Sequence, residues 1–362
     1  MSTRRFPWFL AIPAALLAIV PASACTGIRL KAGDGSVISA RTMEFAPDLR
    51  SEIIVVPRGR AYVGSGPGGK AGLSWAGTYG FAGMNAFGLP TVVDGLNEKG
   101  LAVGIFYFPG YATYQAVGEG EIPRSLAPHE LGGYLLGTSA TVAEAIAKAR
   151  EVVVGEIPLG KDGPVLPVHY AVHDASGRSA VLEFVDGKLV VHDNPLGVTT
   201  NSPTFDWHVT NLRNYVNLSV NSVPPVELAG LRLAPLGQGA GLFGIPGDFT
   251  PPSRFVRAVA FTQTATPTAT ARDAVDQAFH ILNHFDIPRG SVRETGKGPE
   301  SFEVTQWTAV ADLANLRYHF HTEANRKVRM VDLRRLDLDA KEIRTIPTAE
   351  GESFEDISRQ AG

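Results

Sequence analysis

The sequence predicts a layered α+β domain, on three observations. Strand-like alternation opens the chain past residue 24, amphipathic helical segments occupy the middle, and strands return after residue 300. The first strand reads as Cys25–Lys31. A turn at Gly33-Asp34-Gly35 leads into a second strand ending near Arg41-Thr-Met-Glu44, which makes a hairpin. Glu52–Pro57 reads as a further strand. Residues 64–72 are glycine-rich, but Ala71 follows Gly69-Lys70, so the spacing is a surface turn and not a phosphate loop. Asn97-Glu-Lys-Gly100 signals a turn before the apolar run Leu101–Phe108, a buried strand. Thr141-x-x-Glu144 has the form of a capping box opening a helix to Val152. His169–Phe184 and Lys188–His192 read as strands broken by turns at Ala175–Arg178 and Asp186-Gly187. Helices are expected over Phe205–Val216, Arg254–Gln263 and Thr270–His284, and strands over Phe302–Ala311 and Arg317–His321. No internal repeat or linker divides the chain. It reads as one domain over residues 25–344, with a loosely attached tail over 345–362.

Composition removes several classes. Of 362 residues, 44% are hydrophobic and 19% charged, which is globular and not disordered. The net charge is −3 and no Lys/Arg run stands out, so nucleic acid is not an expected partner. Past the N-terminus, no segment reaches the roughly 20 apolar residues that span a bilayer.

The first 24 residues differ from the rest. Arg4 and Arg5 precede an almost wholly apolar stretch, Phe9–Val20, and Pro21-Ala-Ser-Ala24 closes on an A-x-A pattern. That is a cleavable export signal, with a periplasmic or secreted destination and no stable membrane anchor after cleavage. Cys25, the only cysteine, follows the site directly. A lone cysteine makes no internal disulfide. Three readings remain: a buried small hydrophobe, a lipidated cysteine on a periplasmic ligand-binding lipoprotein, or a nucleophile. Lipoprotein signals favour a large aliphatic residue three positions before the cysteine, where this chain has Ala22.

The nucleophile reading has a direct chemical basis. On an N-terminal cysteine the thiol attacks and its own α-amine serves as base. An α-amine has a pKa of about 7.7–8.0 against about 10.4 for lysine, so it is unprotonated far more often near neutral pH. The arrangement needs no histidine.

Cys25-Thr-Gly with Arg41-Thr-Met-Glu44 resembles the choloylglycine hydrolase family, which includes bile salt hydrolases, penicillin V acylases and some acyl-homoserine-lactone acylases. Further segments match in order: Asp94–Leu101 (DGLNEKGL), Gly197–Asp206 (GVTTNSPTFD), Gly247-Asp-Phe, Ser253–Arg257 (SRFVR) and Gln306-Trp-Thr308. The resemblance implies a four-layer αββα sandwich of the N-terminal nucleophile hydrolase type, hydrolysis of linear non-peptide amides through an acyl-enzyme thioester, no cofactor, and a homotetramer. It implies that Cys25 is the nucleophile and that Arg41 favours its thiolate. Glu44, where the family usually has Asp, would hydrogen-bond the α-amine. Asn201 would donate to the oxyanion, and Arg254 would be a second active-site arginine. Tyr107 stands where bile salt hydrolases tend to have Asn and penicillin acylases Tyr. Phe45, Phe106, Phe108 and Tyr111 would wall the acyl pocket around a small-molecule acyl amide.

Each has a plainer alternative: Arg41 with Glu44 as a surface ion pair, Asn201 before Ser-Pro as a turn former. His280/His284 and His319/His321 have ligand-like spacing, but His280 and His284 lack an intervening glutamate, so no metal is expected. Export favours penicillin V and long-chain acyl-homoserine lactones as substrates, with bile salts the alternative.

Overall fold

The computed structural model describes residues 24–293, 302–349 and 354–358. The expected export signal, residues 1–24, therefore lies outside the described residues except for Ala24.

Two antiparallel sheets pack face to face. The first contains, in spatial order, Cys25–Lys31, Val37–Phe45, Phe302–Asp312, Arg317–Thr322 and Arg329–Asp332, with Val292–Arg293 as a short addition on Phe302–Asp312. The second runs Lys188–Asp193, Ser179–Val185, Val168–Asp174, Leu101–Tyr107, Val92–Asn97, Phe81–Asn85, Ile53–Val56 and Arg344–Ile346. Helices cover both outer faces. Pro128–Thr138 and Val142–Glu151 lie on the second sheet, and Pro251–Thr264 and Ala271–Leu282 on the first. The layer order is thus αββα.

Three apolar cores follow from that stacking. Leu131, Leu135, Ile146 and Val172 belong to the core between the first helix pair and the second sheet. Met43, Met84, Leu96 and Trp307 fill the space between the sheets. Ile38, Ala40, Phe255 and Leu282 pack where the second helix pair meets the first sheet. The strands that belong to two cores read as continuous apolar runs because both of their faces are covered; Leu101–Phe106 is buried at every residue.

The capping signals act locally. Thr141 Oγ1 accepts from Glu144 N–H at 3.2 Å, while the Glu144 carboxylate accepts from Ala140 N–H at 2.8 Å. Thr270 and Asp273 form the reciprocal pair, each bond 3.3 Å. The expected helix from Phe205 is shorter: it is α-helical to Asn211 and tightens to a 3₁₀ turn through Tyr215.

Two expectations are corrected. Helix Pro128–Thr138 falls where no helix was expected; Gly132 and Gly133 weaken its sequence signal. Yet Gly132 is where Ile105 packs, and a Cβ there would come 3.0 Å from Ile105 Cδ1. The tail is not loose at its start. Arg344–Ile346 pairs antiparallel with Ile53–Val55, and Thr348 Oγ1 donates to Ser51 O at 2.5 Å.

Candidate active site

The site is assembled by strand alternation. Cys25 pairs with Met43 across the hairpin. Cys25 and Met43 both belong to the core between the sheets, and their sulfurs lie 3.8 Å apart. Arg41 shares that face, two residues before Met43. It is 2% exposed and its guanidinium lies over the Phe106 ring, 4.1 Å from the centroid. Arg41 Nη1 donates to Ile105 O at 2.7 Å. Gly104 makes the room: a Cβ there would fall 3.0 Å from Asp94 Oδ1 and 3.5 Å from Arg41 Nη1.

Glu44 is three residues from Arg41 and so points to the opposite face, toward the helix layer. It is fully buried, which removes the surface ion-pair reading. Its Oε1 accepts from Thr305 Oγ1 at 3.0 Å, and Oε2 has no hydrogen-bond partner. With Ala24 attached, the Cys25 nitrogen does not meet the Glu44 carboxylate: its one N–H donates to Asn201 Oδ1, at 2.8 Å. The reason is register. The Glu44 backbone N–H is the group that reaches the Cys25 end of the hairpin, donating to Ala24 O at 2.9 Å.

Asn201 and Arg254 converge on the same place. Arg254, on helix Pro251–Thr264 and fully buried, donates from Nη2 to Asn201 Oδ1 at 2.7 Å and from Nη1 to Thr26 Oγ1 at 3.0 Å and to Cys25 O. Asn201 Nδ2 donates to Tyr107 O at 2.8 Å. Two donors on Oδ1 and one acceptor at Nδ2 fix the orientation of the amide. The plainer reading of Asn201, a turn former, does not account for these contacts. The Cys-Thr-Gly triplet thus has three distinct uses: the thiol, the Arg254 acceptor, and Gly27, where a Cβ would collide with Phe106 Cζ at 2.7 Å. A two-way backbone pairing of Gly27 with Thr199 ties the Asn201 loop to this strand.

Burial dominates the electrostatics. It pushes the Cys25 thiol above its ordinary range, with Arg41 and then Arg254 opposing it. Burial also raises the Glu44 carboxyl to about 7, against the pull of Arg254. A carboxyl raised in the folded state stabilises the protein fully below its unfolded pKa and loses that contribution as pH rises through the folded value. For Glu44 the window runs from 4.5 to about 7, and the loss is about 3 kcal/mol. Urea denaturation of the chain with Ala24 attached should therefore show Glu44→Gln losing less stability than wild type between those pH values. Identical pH slopes would show that folding does not raise the Glu44 carboxyl.

An apolar cleft of about 90 Å³ opens beside Cys25, walled by Phe45, Phe87, Val93, Ile105 and Tyr107 among others. Phe45 meets Phe87 and Tyr107 edge-on, with centroids 6.5 and 6.2 Å apart. The other aromatic candidates stand elsewhere: Phe106 and Tyr107 are neighbours on one strand and face opposite ways, and Phe108 and Tyr111 lie past its end. Phe106 is turned from the cleft under Arg41. Phe108 is fully buried and stacks on His169 at 4.4 Å, and Tyr111 covers Phe108 at the surface. Phe87 and Met43 were missed; Met43 lies inside a motif already singled out, whereas Phe87 carries no sequence signal.

Among the described residues no cluster of histidine, cysteine and carboxylate side chains could hold a metal ion. His284 packs on Phe261 and His321 on Phe279.

This fold, with a cysteine at the start of the first strand, its nitrogen and carbonyl each held by a buried polar side chain and its thiol beside an apolar cleft, defines an N-terminal-nucleophile-type amide hydrolase. Residues 25–346 match the family of linear amide C–N hydrolases, the choloylglycine hydrolase family. The chain belongs to that family and is a linear amide C–N hydrolase. It is 36% identical over 325 residues to a bile salt hydrolase/transferase of Clostridium perfringens, covering 89% of this chain and 96% of the relative. The crystal structure of a conjugated bile acid hydrolase variant from Clostridium perfringens superposes with a TM-score of 0.82 at 32% identity, covering 92% of this chain and all of that one. A penicillin V acylase from Agrobacterium tumefaciens superposes with a TM-score of 0.71 at 25% identity, covering 89% and 91%.

Proposed function

We propose that removal of residues 1–24 outside the cytoplasm frees Cys25, and that it then cleaves penicillin V or long-chain acyl-homoserine lactones. The carrying observation is the narrow aromatic cleft at the thiol. Its volume of 90 Å³ is well below the roughly 300–1,000 Å³ of ligand clefts in general. It suits the end of a flat phenoxyacetyl group or a flexible acyl chain better than a rigid steroid.

In this reading the α-amine takes the thiol proton, sulfur attacks the amide carbon, and the tetrahedral oxyanion forms beside Asn201. An asparagine amide carries two N–H groups. One is given to Tyr107 O, and the other is the candidate oxyanion donor. The nitrogen leaves as the protonated amine, and water then hydrolyses the thioester. Arg41 and Arg254 offset the negative charge that this sequence develops.

A second reading is hydrolysis of glycine-conjugated bile acids, favoured by the similarity to the Clostridium perfringens enzymes. Initial-rate kinetics decide. The first reading expects kcat/KM for penicillin V or a long-chain acyl-homoserine lactone to exceed that for glycocholate by at least about tenfold, the scale of one misfitting ring. A preference for glycocholate would establish the second. Mass spectrometry of exported protein should find an unmodified Cys25 as residue one; a diacylglyceryl adduct would be incompatible with either.

The homotetramer is proposed too. The hairpin Val226–Leu228/Leu231–Leu233 carries exposed Val226, Leu228, Leu231 and Leu233, apolar area suited to a second copy of the chain. Light scattering on the processed protein should give four times the protomer mass, and a monodisperse monomer would end the proposal.

A further inference from the structure

Asn201 is held by its side chain at the site and by its backbone from behind. The Thr200 carbonyl accepts from His169 Nε2 at 3.0 Å, and the Asn201 carbonyl accepts from His208 Nε2 at 2.8 Å. Both rings are buried, and neither lines the cleft. Each is also fixed from its other side. His208 stacks on Phe255, centroids 4.7 Å apart and planes at 14°, directly beside Arg254 on the same helix. His169 lies flat on Phe108 and presents Nδ1 to Glu183 Oε1 at 3.1 Å.

Glu183 joins the two arms. It is fully buried. Its Oε1 accepts from the backbone N–H of Phe205 at 3.0 Å, which anchors the first turn of the helix that carries His208. Its Oε2 lies 3.2 Å from His192 Nε2. Burial would raise this carboxyl, but the contacts with His169 and His192 hold it down at about 2. His208 is also lowered, to about 4, in its case chiefly by burial. It is therefore neutral near pH 7. A neutral imidazole has one N–H, and a carbonyl can only accept, so that proton sits on Nε2.

We infer that Glu183, His169 and His208 form a buried brace that sets the position of Asn201, and that they are positioning residues for amide hydrolysis by Cys25. The inference rests on the hydrolase reading above. The Cys25 nitrogen and Arg254 both meet Asn201 Oδ1, so a shift of this loop moves the oxyanion donor relative to the thiol and takes away the partner that orients the base. Misplacement of about 1 Å costs on the order of 100-fold in rate, whereas substrate affinity is set in the cleft, which the brace does not touch.

The test is His208→Phe, which keeps the ring stack and deletes the donor, beside His208→Gln, which restores an N–H. In folded His208→Phe enzyme kcat should fall at least about tenfold with KM within about threefold, a loss of interactions made in the transition state. His208→Gln should recover most of that loss. Unchanged kcat, or a loss that the glutamine does not recover, would overturn the brace. If His208→Phe does not fold, Glu183→Gln gives the same reading, since it keeps the shape but removes the charge and one of the two acceptor oxygens that His169, His192 and the Phe205 N–H address. Should wild-type enzyme turn over no amide, the hydrolase reading fails by itself. The brace is then decided by the rate of Cys25 alkylation with iodoacetamide. That rate should change at least about threefold in His208→Phe and return in His208→Gln, because the Cys25 nitrogen that activates the thiol loses its fixed partner. An alkylation rate equal in all three proteins would overturn it.

Discussion

Cys25→Ala enzyme should show no amide hydrolysis, and Cys25→Ser should lose at least about 100-fold in kcat, because a hydroxyl ionises far less readily than a thiol. The sequence holds a single cysteine, so iodoacetamide should add one adduct per chain and abolish activity in proportion to labelling. Folding should survive both substitutions. The Cys25 side chain contributes one sulfur contact to Met43 at 3.8 Å, while the strand is held by its full ladder with Val37–Met43 and by Arg254 on the Cys25 carbonyl. Loss of activity with an unchanged unfolding midpoint is thus the expected pair of results. Burial pushes the thiol up, so attack by the thiol depends on a base taking its proton, and the described residues offer no histidine at Cys25 to do so. An active Cys25→Ala protein would remove Cys25 from the mechanism entirely.

Much of this was legible in the residues, and the parts that were not share a cause. Alternation over Cys25–Lys31 and Val37–Phe45 was readable as a hairpin, and pairing Cys25 with Met43 follows once the turn is placed. The motif segments pointed to Cys25, Arg41, Asn201 and Arg254, which the fold brings together from residues more than 200 positions apart in sequence. What strand period would have added is which face each side chain takes. Arg41 and Glu44 are three apart on a strand, so they part company, and Phe106 and Tyr107 are adjacent, so only one can face the cleft. The brace was not legible at all. His169, Glu183 and His208 are single polar residues in apolar segments, and nothing local distinguishes a packed histidine from one that holds a loop. Their meaning comes from contacts between residues 7 to 31 positions apart, which only the sheet register and the loop path create. Helix Pro128–Thr138 was obscured for a related reason: Gly132 is unfavourable for a helix in isolation but is the residue that lets Ile105 pack.

A chain that keeps Ala24 ahead of Cys25 should fold and be at least about 100-fold less active than one that begins at Cys25, the range over which a positioned general base acts. Accommodation of the extra residue is already visible. Ala24 is 4% exposed, its carbonyl accepts from the Glu44 N–H at 2.9 Å, and the Cys25 N–H still donates to Asn201 Oδ1 at 2.8 Å. Stability should therefore be close to that of the processed enzyme. Chemistry is what changes. With Ala24 attached, the Cys25 nitrogen is a peptide amide, whose lone pair is delocalised into the carbonyl and takes no proton near neutral pH. Removal of Ala24 turns the same atom, in the same place, into an amine with a pKa of about 7.7–8.0. The comparison isolates the base from every other part of the site, since Arg41, Asn201, Arg254 and the cleft are common to both chains. Two measurements complete it: N-terminal sequencing to verify each start, and kcat for one acyl amide at pH 7. Equal kcat values would mean that the proton is taken by a group other than the α-amine, and the role of Cys25 as its own base would have to be abandoned while its role as nucleophile stood.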